Sequence, residues 1–144
     1  LQGVSKQKIN YTRADGVNLT GDLYLPKGYD QKRDGALPVF MWAYPIEYKS
    51  AADAAQVRGS KYRFTRVNWG SPIYWVTQGY AVLDGAEMPI VGENGKEPND
   101  NFVPQLYQNA HAAIQKLASM GVGDSNRVAV GGHSYGAFMT ANLL

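Results

Sequence analysis

The stretch that most constrains this chain is a pentapeptide near its carboxyl end, Gly132-His133-Ser134-Tyr135-Gly136, which fits the pattern G-x-S-x-G. A short run rich in valine, residues 128–130, enters it, and small and apolar residues follow at once. This order predicts a strand, a tight turn and a buried helix, with the serine in a strained backbone conformation. The glycines leave room for strand and helix to cross. The serine hydroxyl is then expected at the carboxyl edge of a sheet and the amino end of a helix, whose N–H groups can stabilise an anion.

Composition excludes several other classes of function. The 144 residues are 44% hydrophobic, and 14 Lys and Arg against 12 Asp and Glu give a formal net charge of +2. So small a charge gives no reason to expect nucleic acid or an anionic membrane as a partner. The absence of cysteine removes disulfides, thiolate catalysis and cysteine-ligated metals. No apolar run approaches the ~20 residues of a membrane span, and nothing in the pattern requires a cofactor.

The first half of the chain predicts three strands. Lys8 to Arg13 and Val17 to Leu25 alternate polar and apolar residues around Asp15-Gly16, which is typical of an antiparallel hairpin at the edge of a sheet. Leu37 to Tyr44 is almost wholly apolar, as in a parallel strand covered on both faces. Between Pro45 and Gly70 we expect irregular structure.

The second half predicts alternating helices and strands. A cap and a first-turn proline predict a short helix from Ser71 to Gln78, and Tyr80 to Leu83 predicts a buried strand. Asp84 to Asp100 reads as a long loop. Apolar residues at helical spacing from Val103 to Met120 predict the longest helix, before the strand that begins at Arg127. The order predicts an α/β fold, with a mostly parallel sheet and an antiparallel amino-terminal hairpin.

Ser134 can act as a nucleophile only if a base removes its proton and donors hold the oxyanion that forms. The turn itself places the backbone N–H of Tyr135, the residue after the serine. A second donor is expected after the Leu37 to Tyr44 strand, where Tyr44 offers a phenol hydroxyl. The alternative for Tyr44 is an ordinary aromatic residue that covers the end of a buried strand.

No base for Ser134 is evident in the chain. In the α/β-hydrolase fold, where such a turn presents a serine, the triad runs Ser, then Asp or Glu, then His, and the ten residues after Ser134 hold none of the last three. His133 is expected to be a packing residue and His111 to lie on a helix face, which does not suggest a metal site. The strand that leads into the Ser134 turn would be the last in the sheet, and one of its edges would have no partner strand. Residues 1–144 are therefore predicted to be the amino-terminal half of an α/β-hydrolase domain, inactive alone and able to self-associate through that edge.

Two longer stretches, Gly131 to Leu144 and Leu37 to Pro45, resemble the catalytic domain of the prolyl oligopeptidase family, and within it the glutamyl endopeptidase branch. The resemblance covers most of the chain from about Leu37 onward. Its other matching stretches are Gln56 to Ser60, Arg63 to Arg66, Trp69 to Pro72, Gly79 to Gly85 and Glu97 to Asp100.

The resemblance implies a serine peptidase with a peptide substrate and a β-propeller upstream of the catalytic domain. Ser134 matches the family's nucleophile, Tyr44 its oxyanion tyrosine and Tyr135 its backbone donor. The family's Asp and His and its propeller have no counterpart in these residues, so the carboxy-terminal half of the domain is an expected partner. An extracytoplasmic bacterial setting fits the resemblance.

Cleavage after glutamate would require a cationic pocket, and four basic residues follow the predicted oxyanion strand. They are Arg58, Lys61, Arg63 and Arg66. The alternative is that they form a solvated basic loop. Two other functions stay open: an esterase or acyltransferase of the same fold, and a non-catalytic piece that associates through its open edge.

Overall fold

A five-stranded mixed sheet organises the protein in a computed structural model that describes residues 1–56 and 65–144. The strands lie in the order β1-β2-β4-β3-β5. β1 pairs with β2 and β2 with β4 antiparallel, whereas β3 is parallel to both β4 and β5. Their bounds are Ser5–Thr12 for β1, Asn18–Leu25 for β2, Leu37–Tyr48 for β3, Ala81–Val91 for β4 and Gly123–Gly131 for β5.

Helices cover both faces of this sheet. The larger core includes Leu83, Leu106 and Met139, and it joins the sheet to α3 and α4. Val82 faces the other side of β4 and packs with Ile73 of a 3₁₀ helix. The helices are α1 (Gln31–Asp34), α2 (Ala51–Ala54), α3 (Phe102–Ser119), α4 (Tyr135–Leu143), and the 3₁₀ helices Pro72–Gln78 and Pro98–Asn101. No helix in the described parts of the chain is long and apolar enough to span a bilayer.

The predicted hairpin is confirmed, with slightly different ends. Arg13 donates its backbone N–H to the Val17 carbonyl at 2.9 Å, and Gly16 donates to the Arg13 carbonyl at 2.8 Å. Gly16 has a φ of 91°, a conformation that glycine adopts without strain. The α/β fold and the long helix are confirmed too. The helix ends at Ser119, and Gly121, with a φ of 71°, follows its C-cap residue Met120.

The predicted loop over Asp84 to Asp100 is wrong for its first eight residues, because β4 continues to Val91. Gly85, with a φ of 63°, is an extra residue at which the register shifts from Trp42 opposite Asp84 to Ala43 opposite Ala86. Beyond this bulge β3 and β4 stay paired, so residues 45–48, predicted to be irregular, also lie in a strand.

The sheet is less parallel than predicted. Of the four pairings among the described strands, two are parallel and two antiparallel, because β2 lies antiparallel to β4 as well as to β1. β5 pairs with β3 alone among these strands and forms one edge of the sheet. It begins at Gly123, four residues before the predicted start.

Candidate active site

Ser134 occupies a sharp turn between β5, which ends at Gly131, and α4, which begins at Tyr135. Its φ of 56° and ψ of −116° lie in a region that costs a non-glycine residue of order 1–3 kcal/mol. The side chain is exposed and makes no capping hydrogen bond to α4. Its hydroxyl has no hydrogen-bond partner among the described residues, so it is available for chemistry.

The glycines on either side of Ser134 are required by the close approach of β3. A Cβ on Gly132 would lie 2.6 Å from the Ala43 carbonyl oxygen and 2.6 Å from the Gly136 Cα. A Cβ on Gly136 would overlap the same Ala43 oxygen. The backbone of β3 therefore runs against the turn, and only glycine at both positions lets α4 begin there.

The two groups predicted to be oxyanion donors lie beside this turn. The backbone N–H of Tyr135 makes no hydrogen bond within the described part of the chain, whereas the next two amides donate to the carbonyls of His133 and Ser134, both at 2.9 Å. Tyr44 lies on β3 with its side chain 53% exposed. Its ring meets that of Tyr135 edge to face, with centroids 6.0 Å apart. Ser134, Tyr44 and Tyr135 therefore lie close together, because β3 passes beside the turn at which α4 begins.

A carboxylate that sequence reasoning missed completes this cluster. The Tyr135 hydroxyl donates a hydrogen bond to Oε1 of Glu47 at 2.9 Å. Burial raises the pKa of Tyr135 to about 12, and the hydrogen bond and negative charge of Glu47 act in the same direction. No motif marks Glu47; the one available signal was its place three residues after Tyr44 on an apolar strand.

Neither histidine is placed to act as the base for Ser134 through a hydrogen bond among the described residues. His111 is exposed on α3 and lines an open groove against the β1 strand. His133 is exposed in the turn, so its predicted packing role is wrong. Neither makes a hydrogen bond to Ser134 within residues 1–56 and 65–144. The same residues contain no group of three or more His, Asp or Glu that could hold a metal ion.

Three of the four basic candidates, Arg58, Lys61 and Arg63, lie outside the described residues. The fourth, Arg66, is exposed. Its neighbour Thr65 accepts a hydrogen bond from the Lys6 ammonium at 2.9 Å and lies 3.2 Å from the Tyr24 hydroxyl.

The strand register shows that the contacts of Thr65 with Lys6 and Tyr24 lie far from the Ser134 turn. Tyr24 stands opposite Val82 on β4, whereas Tyr44 stands opposite Glu87. The two points are roughly 15 Å apart along the strand, at the usual rise per residue. Arg66 is therefore attached toward the amino end of β4, away from Tyr44.

Comparison with known proteins agrees with this geometry. The family model described as X-Pro dipeptidyl-peptidase (S15 family) matches residues 15–144. A relative from Oryza sativa subsp. japonica, "Probable glutamyl endopeptidase, chloroplastic", is 50% identical over 144 residues, which are 100% of this chain and 15% of that protein. The chain thus spans about a seventh of that curated relative.

Solved structures give the fold. Dipeptidyl peptidase 4 of Porphyromonas gingivalis superposes with a TM-score of 0.66 at 19% identity, over 98% of this chain and 19% of that one. An acetyl xylan esterase from Paenibacillus sp. R4 superposes with a TM-score of 0.61 at 21% identity, over 99% of this chain and 45% of that one. Since both are under 25% identical, they establish the α/β-hydrolase architecture alone. The match over residues 15–144 carries the family assignment: the chain belongs to the X-Pro dipeptidyl-peptidase (S15) family, and with its glutamyl endopeptidase relative it fits a peptidase of the prolyl oligopeptidase type.

Proposed function

We propose that the protein containing this chain is a serine-type endopeptidase that cleaves peptides by acyl transfer through Ser134. The observation that carries the proposal is the strained turn at Ser134, with φ 56°, which leaves the hydroxyl exposed beside the unpaired N–H of Tyr135. Membership of a peptidase family and a relative named as a glutamyl endopeptidase support it. Strain of this kind persists where function requires it.

The reaction follows from the groups at the turn. A base takes the Ser134 proton as the oxygen attacks the scissile carbonyl, and the carbonyl oxygen becomes an oxyanion. The Tyr135 N–H and the Tyr44 hydroxyl are the donors for that charge. Collapse of the tetrahedral intermediate expels the amine with a proton from the base, and water then releases the acyl group.

The base belongs to the part of the protein outside this chain. In α/β-hydrolases the triad Asp or Glu and then His follow the serine in sequence. No histidine reaches the Ser134 hydroxyl among the described residues. We therefore assign the triad Asp and His to the carboxy-terminal half of the catalytic domain and expect a propeller upstream, so that residues 1–144 alone are inactive.

A preference for glutamate requires a cation in the substrate cleft. The Glu47 carboxylate beside Tyr135 would repel an acidic side chain, so a basic group must outweigh it. Arg58, Lys61 and Arg63 are the candidates we retain, since Arg66 is attached toward the amino end of β4. Alanine replacement of each in the full-length enzyme should lower the ratio of cleavage after Glu to cleavage after Ala for at least one of the three. It should leave that ratio unchanged for Arg66; an unchanged ratio for all four would refute the pocket.

Active-site labelling tests the main proposal. A fluorophosphonate probe should label full-length protein at Ser134, as located by peptide mass spectrometry. Ser134→Ala should abolish labelling and lower peptide hydrolysis by at least about 10³-fold. Ser125→Ala, which removes another exposed serine, is the control and should change neither. Labelling at another residue would refute Ser134 as the nucleophile, whereas hydrolysis of esters with none of peptides would favour the esterase alternative.

A further inference from the structure

A hydrogen bond joins the two elements that carry the proposed oxyanion donors. Glu47 lies near the carboxyl end of β3, three residues beyond Tyr44, and Tyr135 is the first residue of α4. The Tyr135 hydroxyl donates to Glu47 Oε1 at 2.9 Å, across 88 residues of chain. A charged acceptor makes such a bond stronger than one between neutral groups.

Two phenylalanine rings pack against the Tyr135 ring and against each other. Phe102, at the start of α3, stacks on it with centroids 5.3 Å apart, and Phe138 of α4 stacks at 6.0 Å. The edge-to-face contact with Tyr44 adds a third neighbour. The packed ring and the bound hydroxyl restrain the Tyr135 side chain, and a restrained side chain limits how far the backbone of the same residue can move.

We propose that Glu47 is a positioning residue for the oxyanion site, which acts by holding Tyr135 through its hydroxyl so that the Tyr135 N–H points to the site of the developing charge. The proposal rests on the function proposed above. Because burial and Glu47 raise the pKa of Tyr135 to about 12, the phenol remains a donor at any pH at which the enzyme would work. Ser134 precedes Tyr135 directly, so a rotation of Tyr135 also changes the turn that presents the nucleophile.

If Glu47 acted through its negative charge instead of by positioning Tyr135, its replacement would give different results. A carboxylate near a developing oxyanion opposes it, so loss of the charge alone would raise the rate or alter the preference for charged substrates. A positioning role needs only an acceptor for the Tyr135 hydroxyl. Glu47→Gln separates the two, since its amide oxygen accepts the same bond without the charge.

The experiment uses full-length protein carrying Glu47→Ala, Glu47→Gln, Tyr135→Phe and the double variant Glu47→Ala/Tyr135→Phe. We expect Glu47→Ala and Tyr135→Phe each to lower kcat about 10-fold, with KM within about twofold, because an oxyanion contact acts in the transition state. The double variant should lose no more than either single one. Glu47→Gln should retain kcat within about threefold. Tyr107→Phe, which removes a phenol hydroxyl from the exposed face of α3, is the matched control and should match wild type.

Several outcomes would overturn the inference. These are additive losses in the double variant, a change in KM alone, or a loss in Glu47→Gln equal to that in Glu47→Ala. Thermal unfolding of each variant accompanies the kinetics, and if Glu47→Ala is unstable, Glu47→Gln and Tyr135→Phe decide. Ser134→Ala is assayed in parallel: activity in that variant refutes the proposed function. An inactive Ser134→Ala with wild-type kcat in Glu47→Ala and Tyr135→Phe refutes only the role of Glu47.

Discussion

The rings of Tyr44 and Tyr135 meet edge to face at 6.0 Å, with an interplanar angle of 79°. Tyr44 belongs to β3 and Tyr135 to α4, so the contact fixes strand and helix relative to each other where the proposed donors lie. The hydroxyl of Tyr44 takes no part in it and has no hydrogen-bond partner among the described residues. A contact made by the ring leaves the hydroxyl for substrate.

Because the ring and the hydroxyl of Tyr44 have separate roles, the effects of Tyr44→Phe can be predicted. The ring contact remains, so we expect an unchanged melting temperature, while the loss of one oxyanion donor should lower kcat by about 10²–10³-fold with little change in KM. Steady-state kinetics of the full-length enzyme on a peptide substrate measures this, with Tyr107→Phe as the control. Wild-type kcat in Tyr44→Phe would show that the hydroxyl is not a donor.

Gly136→Ala should disrupt the turn that presents Ser134. The added methyl overlaps the carbonyl oxygen of Ala43, a backbone atom that cannot move without shifting β3. We expect a loss of about 2 kcal/mol or more in unfolding free energy and loss of fluorophosphonate labelling. Gly70→Ala is the matched control, because its Cβ would have no neighbour closer than the Asn68 Oδ1 at 3.6 Å. Normal labelling of Gly136→Ala would contradict the close approach of the Ala43 carbonyl to Gly136.

Arg13 should contribute far more to the free energy of unfolding than an exposed arginine that makes a similar ion pair. It is 2% exposed, and its Nη1 donates to Asn109 Oδ1 at 3.0 Å and to the Pro89 carbonyl at 3.2 Å. Asp15 accepts from Nη2 at 2.7 Å. Arg13→Met leaves the buried Asn109 oxygen without this donor, while the partly exposed Asp15 can be rehydrated, so we expect a loss of about 2–4 kcal/mol.

The control for Arg13 is Arg127→Met. Arg127 makes a 2.7 Å ion pair with Asp124, but its side chain is 56% exposed, so the loss should stay below about 1 kcal/mol. Urea unfolding, with hydrogen exchange of the β1–β2 hairpin to locate the effect, measures both variants. Equal losses would mean that the buried position of Arg13 contributes nothing.

Asp84 should make stability depend on pH. Burial raises the pKa of its carboxyl, and Asp22, directly opposite on β2, also raises it. A raised folded-state pKa means that the penalty for the charge is absent below the unfolded value near 3.8 and grows as pH rises through the folded value. Asp84→Asn should therefore stabilise the protein at pH 7 by about 0.2–1 kcal/mol, the range for cross-strand pairs, and have little effect near pH 3.5.

The measurement for Asp84 is the urea midpoint between pH 3.5 and 7.5. Asp124→Asn serves as the opposite case, because hydrogen bonds from Arg127 and the backbone lower the pKa of Asp124. Its replacement should never stabilise at neutral pH. A destabilised Asp84→Asn at pH 7 would show that the carboxylate has a favourable partner that outweighs its burial.

Local signals predicted the elements that depend on a few adjacent residues. The Asp15-Gly16 pair predicted the hairpin, and the spacing around Ser134 predicted the turn, because both are set by backbone conformations that only certain residues tolerate. The length of β4 was not predictable in this way. Asp84-Gly85 and Pro89 look like loop residues, yet pairing with β3 and one bulge at Gly85 carry the strand to Val91.

The residue pattern was enough to predict a serine in a strained turn between a strand and a helix, with two tyrosines as candidate donors beside it. The close approach of Ala43 to both glycines and the hydrogen bond from Tyr135 to Glu47 are visible only in the folded chain. Those contacts join residues about 90 positions apart, and their existence depends on the register of β3 against β4 and β5. Register comes from summed pairing and burial across the whole sheet, so no single stretch of the chain contains it.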